Sequence, residues 1–245
     1  PSREGRRGGR ASRRAARKAA TQEAQKTAVP YITRNIPVMD ICSDEALTVI
    51  ETNAEIILEE IGIDFKDDPE ILELWNLAGA DVKGERVHIP KGLARSLIET
   101  APSEFTQHAR NPSRNVRIGG NHSVFAPVYG PPFVHDLDEG RRYGTIQDFE
   151  NFVKMAYMAP AMHHSGGTVC EPVDIPVNKR HLDMIYAHMR YSDKPFMGSV
   201  TAPERAADTI TMAEIIFGKQ FVSQNTVVTS LININSPMAL DSMML

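Results

Sequence analysis

The sequence is short of cysteine and has no long apolar segment. Its 2 cysteines among 245 residues, Cys42 and Cys170, lie far apart and lack metal-ligand spacing. We therefore expect two reduced thiols in a cytosolic protein. No apolar run approaches the ~20 residues that a membrane span requires. The composition predicts a soluble, cytoplasmic protein that has no membrane partner.

Motifs for phosphate and metal binding are missing as well. No G-x-G-x-x-G follows the first predicted strand and no G-x-x-x-x-G-K-[ST] is present, which argues against a doubly wound nucleotide-binding fold. His163 and His164 are adjacent, and neighbours on a strand point to opposite faces, so they cannot both hold one metal ion. We expect neither a nucleotide cofactor nor a bound metal.

The charge is distributed unevenly along the chain. The net charge is -4, yet residues 1–27 carry nine lysines and arginines against two glutamates. Because this segment has almost no large apolar residue, residues 1–29 are predicted to form a disordered basic tail. A nucleic-acid arm, an organellar transit peptide and a solvated tail are its three candidate roles. No aromatic side chain interleaves the arginines to stack on bases, so nucleic acid is not an expected partner.

Residues 30–120 predict a small α+β region without a catalytic motif. Behind the capping residues Ser43 and Asp44, apolar side chains recur at helical spacing until Gly62 ends the pattern. These side chains are Leu47, Ile50, Ala54, Ile57, Leu58 and Ile61. Residues 68–80 and 90–102 predict two more helices, "DVKGERVHI" a hairpin that turns at Gly84, and "EFTQHARNPSRNVRIGG" two extended segments around an Asn-Pro turn. We expect Trp75 to pack inside this layer.

Residues 121–245 alternate between predicted strands and helices. Strands are expected to start near residues 122, 162, 194 and 225. Helices are expected after Thr145, over 177–192, from Pro203 to Gly218 and after Pro237. One crossover unit between successive strands calls for a parallel sheet.

The strand ends predict a barrel rather than an open sheet. The segments "TVCEP", "GSVTAP" and "NINSP" bring small or polar side chains before proline, as at the mouth of a TIM (β/α)8 barrel. We predict an α/β fold with about the first four βα units of such a barrel at 121–245, preceded by the α+β region at 30–120. Because the apolar strand at 226–234 needs neighbours on both sides, we expect the sequence to be a fragment of a longer chain.

Three stretches carry a resemblance to a known family. They are "HARNPSRNVRIGGNHSVFAPVYGPPFVHDLDEGRRYGTIQDFENFVKMA", "EPVDIPVNKRHLDMIYAHMRYSDKPFMGSV" and "ININSPM". Together with the arginine-rich start, they resemble the trimethylamine:corrinoid methyltransferase family. The resemblance covers nearly the whole chain and corresponds to about the amino-terminal half of a family member.

The resemblance implies a TIM-barrel methyltransferase. Such an enzyme moves a methyl group from a methylated amine, trimethylamine or a quaternary amine such as glycine betaine, to the cobalt of a corrinoid. The corrinoid, of the cobalamin type, is carried by a separate small protein, so the resemblance implies no tightly bound cofactor, a corrinoid-binding partner and a homo-oligomer. Archaeal members place pyrrolysine in a part of the barrel that this sequence does not contain.

The implied chemistry needs positioning more than acid or base catalysis. Reduced cobalt is the nucleophile, and a quaternary ammonium leaves as a neutral tertiary amine, so an aromatic and carboxylate surround is expected. Glu171 is the first candidate for attracting the cation, and its alternative roles are to cap a helix or pair with an arginine. The other candidates for substrate binding at the strand ends are Phe125, Tyr129, Phe133, Ser199, Thr201, Asn233 and Asn235. No residue is singled out as catalytic.

Arg141 and Arg142 lie in the charged loop "DEGRRYGT". A substrate carboxylate could meet them, but a solvated or salt-bridged role is more typical of such a loop. We therefore do not include them among the site residues.

Two other functional classes stay open. Since a fold does not fix a function, the barrel could house a lyase or a hydrolase. If the 245-residue chain is the mature product, it could instead be a non-catalytic methylamine-binding fragment.

Overall fold

The computed structural model describes residues 14–15, 29–37, 39–199, 201–232 and 238–241. Its helices are α1 (Asp44–Ile56), α2 (Pro69–Ala78), α3 (Leu93–Ile98), α4 (Ile146–Met158), α5 (Val177–Tyr191), α6 (Pro203–Phe217) and α7 (Lys219–Gln224). Its first strands are β1 (Ile32–Thr33), β2 (Ile63–Lys66), β3 (Asp81–Lys83), β4 (Arg86–His88), β5 (Glu104–Gln107) and β6 (Val116–Gly119). The remaining strands are β7 (His122–Ser123), β8 (Phe133–Asp136), β9 (Gly140–Tyr143), β10 (Phe196–Met197), β11 (Val228–Thr229) and β12 (Ala239–Asp241).

Helix α1 has the predicted start and end. The Ser43 hydroxyl accepts a hydrogen bond from the Ala46 N–H at 3.3 Å and caps the helix. A π turn at Ile57–Ile61 extends the helix, and Gly62 ends it at φ 75°. A Cβ at Gly62 would lie 2.5 Å from the Val87 carbonyl oxygen, so only glycine fits this close approach.

The first sheet of the amino-terminal region runs in the order β12-β2-β4-β3. Strands β3 and β4 form the predicted hairpin around Gly84, which has φ 64°. Trp75 on α2 packs against Phe65 with a ring separation of 5.6 Å, beside the buried side chain of Val87. The predictions for the hairpin and for Trp75 are confirmed.

The second sheet runs in the order β1-β7-β6-β5, and each of its pairs is antiparallel. Strands β5 and β6 flank a 3-10 turn at Pro112–Arg114, so the predicted Asn-Pro turn is confirmed. The first barrel strand, predicted to start near residue 122, is wrong. Only His122–Ser123 forms a strand there, and it pairs antiparallel with β1 and β6 instead of joining a parallel sheet. Prolines in 124–132 lack the N–H that a ladder requires.

The three crossover helices of the carboxy-terminal region are confirmed as α4, α5 and α6. Thr145 and Asp148 form a complete capping box at the start of α4. Strands β10 and β11 pair in parallel, with Phe196 opposite Val228, as predicted for the strands at 194 and 225.

No regular strand covers the segment predicted to begin at 162. Its backbone nevertheless lies beside β10, because Ser165 N donates to Pro195 O and Met197 N donates to Gly166 O, each at 2.8 Å. Gly166 has φ 90°, and this left-handed residue interrupts the extended run. The prediction of a regular strand at this segment is therefore wrong. The expected position of the segment beside β10 is confirmed.

Three further elements differ from the sequence prediction. The hairpin β8–β9 was not anticipated, although Asp136 Oδ1 accepts from the N–H groups of Asp138 and Glu139 and Gly140 takes φ 68°. Helix α7 was also missed. The helix predicted after Pro237 is wrong, because 239–241 form β12, which pairs in parallel with β2.

The predicted mixed α/β class is confirmed, with several sheets and with crossover helices in the carboxy-terminal half. Over the described ranges the sheets do not close into a barrel, so the barrel and the domain bounds at 29, 120 and 245 stay predictions. The basic-tail prediction falls on residues outside the described part, except for 14, 15 and 29. None of the helices in the described ranges combines the length and the apolar character that a bilayer crossing requires.

Candidate functional site

One buried side chain, Gln107 on β5, joins the β5–β6 pair to the predicted barrel strands. The Gln107 amide nitrogen donates to Phe196 O at 2.8 Å and to Val227 O at 3.3 Å. His164 Nε2 lies 3.1 Å from Gln107 Oε1, and both side chains are buried. Gln107 on β5 thus connects the 162–171 segment, β10 and the residue before β11.

The two most buried histidines are neutral and fully hydrogen-bonded. Burial lowers the pKa of His164 to about 3 and the pKa of His188 to about 4. His164 Nδ1 accepts from Gly166 N at 2.9 Å, which leaves the proton on Nε2. His188 Nε2 donates to Gly167 O at 2.8 Å, and the Ser165 hydroxyl donates to His188 Nδ1 at 2.7 Å.

These contacts assign both histidines to the packing of the sheet against α5. His188 also lies between the rings of Phe149 and Phe196. Within the described ranges no group of three His, Cys, Asp or Glu side chains is arranged to hold a metal ion.

Lys194 holds the carboxyl end of α4 against β10. Its ammonium group is buried and donates to the carbonyl oxygens of Ala156, Ala159 and Met162 at 2.7, 3.1 and 2.6 Å. A cation suits a helix carboxyl end, where carbonyls lack internal partners. Burial is the main reason that the pKa of Lys194 falls to about 8, helped by the nearby charge of Arg114.

The same end of the sheet is held by two arginines from the loop between β5 and β6. Arg110 donates to the carbonyls of Met189 and Ser192 at the end of α5. Arg114 pairs with Asp193 at 2.8 Å. The motifs "HARNPSRN" and "SDKPF" therefore interlock at the amino-terminal end of the predicted strands, where stability rather than chemistry is expected.

Two aromatic candidates, Phe125 and Tyr129, lie beside the glycine-rich segment. They are 50% and 40% exposed. Phe125 O accepts from the N–H groups of His163 and His164 at 3.0 and 3.1 Å, which fixes its backbone. A Cβ at Gly167 would lie 2.6 Å from Tyr129 Cε2 and 2.9 Å from the Met197 Cβ. The absent side chain at 167 therefore lets the tyrosine ring lie directly against the backbone.

Glu171 does not carry a free charge. Arg180 Nη1, in the first turns of α5, donates to Glu171 Oε1, and Arg180 also donates to Ile175 O. The side chain of Glu171 stays 37% exposed. This is the arginine pairing that the sequence left open as an alternative role.

The remaining candidates are spread along the chain after β10. The Thr209 hydroxyl donates to Ser199 O at 3.2 Å, which joins the end of β10 to α6. The Thr201 hydroxyl accepts from Arg205 Nη1 at 2.6 Å and is exposed. Asn233 and Asn235 lie outside the described residues, so their predicted roles are not tested.

The aromatic candidate Phe133 lies in the β8–β9 hairpin. Its ring stacks on Tyr143 at 4.8 Å within the β8–β9 hairpin, and the Arg141 guanidinium lies 3.9 Å above it. It also lines an apolar cleft of about 470 Å³ between residues 127–135 and α4.

Arg142 has the salt-bridged role that the sequence predicted. It pairs with Asp148 at 2.6 Å, with Glu139 at 2.7 Å and with Asp136 at 3.1 Å. The hydrogen bond from Arg142, and those from Thr145, hold the pKa of Asp148 well below its usual range. Arg142 thereby anchors the hairpin to the capping box of α4.

Sequence reasoning missed one polar pair at the carboxyl ends of the strands. His181 on α5 lies 2.8 Å from Asp208 on α6 and is buried. Among the described residues its Nδ1 has no hydrogen-bond partner. His181 borders a small cavity with Gly167, Thr168, Gly198 and Ser199. The two residues are 27 positions apart in sequence. The sequence signal that could have indicated the pair is the placement of His181 and Asp208 on facing sides of α5 and α6.

A family model described as trimethylamine methyltransferase (MTTB) matches residues 6–245. The chain belongs to this family. The resemblance inferred from the sequence is therefore confirmed, and the match includes both interlocking motifs and the candidate mouth residues.

Two curated relatives come from Desulfitobacterium hafniense. The glycine betaine methyltransferase of strain Y51 is 46% identical over 211 residues, which cover 86% of this chain and 44% of that protein. The trimethylamine methyltransferase MttB of strain DSM 10664 / DCB-2 is 35% identical over 85 residues, covering 34% of this chain and 17% of that protein. The chain thus spans less than half the length of the curated relatives it matches.

Proposed function

We propose that this chain provides the first half of the barrel of a methyltransferase that takes a methyl group from a quaternary methylated amine. Family membership supports methyl transfer, and the 46% identity to a glycine betaine methyltransferase favours a quaternary donor over trimethylamine. The proposed acceptor is the cobalt of a corrinoid that a separate protein carries. The protein is proposed to act in the cytoplasm.

The observation that carries the proposal is the pair of exposed rings beside the glycine-rich segment. Phe125 and Tyr129 are held by backbone hydrogen bonds, from His163 N to Phe125 O and from Gly130 N to Thr168 O. Ring faces attract a desolvated ammonium cation, with an energy of about 0.5–2 kcal/mol each. Preset aromatic faces therefore suit a quaternary amine, which can neither donate nor accept a hydrogen bond at its nitrogen.

The proposed role of these residues is to position the donor. The methyl carbon must lie in line between the amine nitrogen and the acceptor, which supplies an electron pair as the C–N bond breaks. The electrons of that bond stay on nitrogen, and a neutral tertiary amine leaves. No proton needs to move, so the aromatic surround contributes orientation and the exclusion of water.

Glu171, Ser199, Thr201, Asn233 and Asn235 complete the proposed mouth. The ion pair with Arg180 leaves Glu171 with a partly compensated charge, so we assign the larger share of cation binding to the rings. Hydroxyl and amide groups are suited to the carboxylate or polar end of an amine donor.

The proposal is tested by methylation of reduced free cobalamin by the whole gene product. We expect methylcobalamin to form with glycine betaine faster than with trimethylamine. A folded protein that methylates cobalamin with neither donor would contradict the proposed activity.

The proposed site is tested separately. Phe125→Leu and Tyr129→Leu should each raise the KM for the quaternary amine by about tenfold, which corresponds to ~1.4 kcal/mol. Tyr143→Leu is the matched control, because Tyr143 is an exposed aromatic residue in the β8–β9 hairpin. Equal KM values for all three variants would place the donor elsewhere.

A further inference from the structure

Gly167 is buried and leaves no room for a side chain. A Cβ at this position would lie 2.6 Å from Tyr129 Cε2 and 2.9 Å from Met197 Cβ on β10. The φ of Gly167 is not positive, so alanine could adopt the same backbone conformation. Lack of space, and not backbone geometry, therefore requires glycine at 167.

Hydrogen bonds hold the backbone of Gly167 in place beneath the tyrosine ring. His188 Nε2 and Val169 N both donate to Gly167 O, at 2.8 and 2.9 Å. One residue earlier, Gly166 O accepts from Met197 N at 2.8 Å. These bonds tie the segment to α5 and to β10, so its backbone is not free to move away from the ring.

His188 is held in a single orientation as the donor to Gly167. A carbonyl oxygen can only accept, so the imidazole proton lies on Nε2, and Nδ1 accepts from the Ser165 hydroxyl at 2.7 Å. The imidazole lies between the rings of Phe149 and Phe196, with ring separations of 5.3 and 6.0 Å. Contacts on both ring faces and at both nitrogens leave it no second position.

The tyrosine ring is the part of this contact that can move. Tyr129 is 40% exposed, and its ring edge is the far end of a flexible side chain. The backbone next to it is tied to the same segment, because Gly130 N donates to Thr168 O at 2.7 Å. A side chain at 167 would therefore turn the ring outward, and the absence of one sets where the ring lies.

We propose that Gly167 and His188 are positioning residues of the ammonium site. His188 fixes the backbone of Gly167, and Gly167 fixes the ring of Tyr129. The inference rests on the proposed function, in which this ring contacts the methylated ammonium. A displaced ring loses that contact, so the size of residue 167 controls the affinity for the cationic group.

The position of the ring is tested without an enzymatic assay. In the whole gene product labelled with fluorotyrosine, Tyr129→Phe assigns the fluorine NMR resonance of residue 129. Gly167→Ala should shift that resonance, whereas Gly144→Ala should leave it unchanged. Gly144 is the matched control, because its φ is not positive either and its Cβ would meet Cys170 Sγ and Glu171 O at 3.1 Å. An unchanged resonance in Gly167→Ala would overturn the inference and leave the proposed function standing.

The effect on binding is measured with tetramethylammonium as the probe. It should shift the Tyr129 resonance of the wild-type protein, and Gly167→Ala should raise its dissociation constant about fivefold or more, as expected when one ring face loses the cation. Equal constants in the two proteins would overturn the positioning role. A wild-type protein that binds tetramethylammonium at Tyr129 but transfers no methyl group would contradict the proposed activity alone.

The role of His188 is tested by His188→Phe. This variant keeps a ring between Phe149 and Phe196 but has no donor for Gly167 O. It should raise the dissociation constant of tetramethylammonium in the same direction as Gly167→Ala. A wild-type constant in a folded His188→Phe protein would overturn the positioning role of the imidazole.

A double variant shows which group an alanine at 167 displaces, even if Gly167→Ala folds poorly. If that group is the ring, Gly167→Ala should cost less melting temperature in a Tyr129→Leu background than in the wild type. Equal losses in the two backgrounds would mean that the alanine displaces Met197 instead of the ring, and would overturn the inference.

Discussion

Gln107 and His164 share a buried hydrogen bond of 3.1 Å across 57 positions of sequence. Because Gly166 N donates to His164 Nδ1, the His164 Nε2 proton is directed to the Gln107 oxygen. The amide nitrogen is then free to donate to Phe196 O and Val227 O. A single side-chain orientation thus satisfies every polar atom of the pair.

Replacing Gln107 should cost much of the stability of this junction. Gln107→Leu removes the side-chain donor to two strand carbonyls and leaves one buried imidazole N–H without its acceptor, and we expect the free energy of unfolding to fall by about 2 kcal/mol or more. Urea denaturation measures the change. Thr106→Val, at the exposed neighbouring residue, should change it by less than about 0.5 kcal/mol. Similar small effects of both variants would show that the junction is not held by Gln107.

The lowered pKa of Lys194 predicts that the free energy of unfolding rises with pH in the alkaline range. Its amine loses a proton near pH 8 in the folded chain, against an ordinary value of 10.5. Between these values the unfolded chain binds more protons, so the free energy of unfolding should increase as pH rises from about 8 to about 10. Below pH 8 both states are protonated and this contribution is flat.

Lys194→Met isolates this effect. The variant should be less stable at pH 7, because three helix-end carbonyls lose their donor, and the alkaline rise should disappear from its stability curve. Comparing melting temperatures of both proteins from pH 7 to pH 10 measures the difference. An identical pH dependence in the two proteins would contradict the assignment.

The two cysteines should differ sharply in reactivity. Cys42 is exposed, whereas Cys170 is buried and burial raises the pKa of its thiol to about 12. Since the thiolate is the reactive form, a thiol reagent such as DTNB should modify one cysteine in the native protein at neutral pH and both after denaturation. Cys42→Ser should abolish the native reaction, while rapid modification of that variant would show that Cys170 is accessible.

The local elements of the fold could be predicted from sequence, and the reason is physical. Helix starts depend on residues close in sequence. Ser43 and Thr145 cap backbone N–H groups in the first turns of α1 and α4, and Pro203 occupies the first position of α6, where no N–H is needed. The strand prediction for residues 162–171 was wrong, because the backbone there depends on the positive φ of Gly166 and on hydrogen-bond partners far along the chain. The strand prediction for the apolar run after His122 was wrong, because the prolines in this run have no N–H to donate to a neighbouring strand.

The candidate site was less predictable than the fold. Residue type and strand-end placement predict Phe125, Tyr129 and Glu171 as site candidates, but periodicity carries no information on which partner a charged side chain takes. The pairing of Glu171 with Arg180 depends on where the first turns of α5 approach the end of the 162–171 segment. The pairing of His181 with Asp208 depends in the same way on the contact between α5 and α6.

Glu171→Gln distinguishes a structural carboxylate from a cation-binding one. Because Arg180 already pairs with Glu171, we expect the variant to lower the melting temperature by about 2–4 °C, equivalent to ~1 kcal/mol in a chain of this size. In the whole gene product, the rate of the proposed methyl transfer should fall by less than tenfold. Glu139→Gln, at an exposed carboxylate that pairs with Arg142, controls for the loss of one surface charge.

The double variant Glu171→Gln with Arg180→Met completes this test. Because Arg180 also donates to Ile175 O, the comparison includes Arg180→Met alone. If the ion pair is the main role of Glu171, the double variant should lose less melting temperature than the two single variants lose in sum. A rate that drops tenfold or more in Glu171→Gln at an unchanged melting temperature would reverse the conclusion. It would mean that the Glu171 carboxylate attracts the methylated ammonium directly, and that Arg180 only restrains its position.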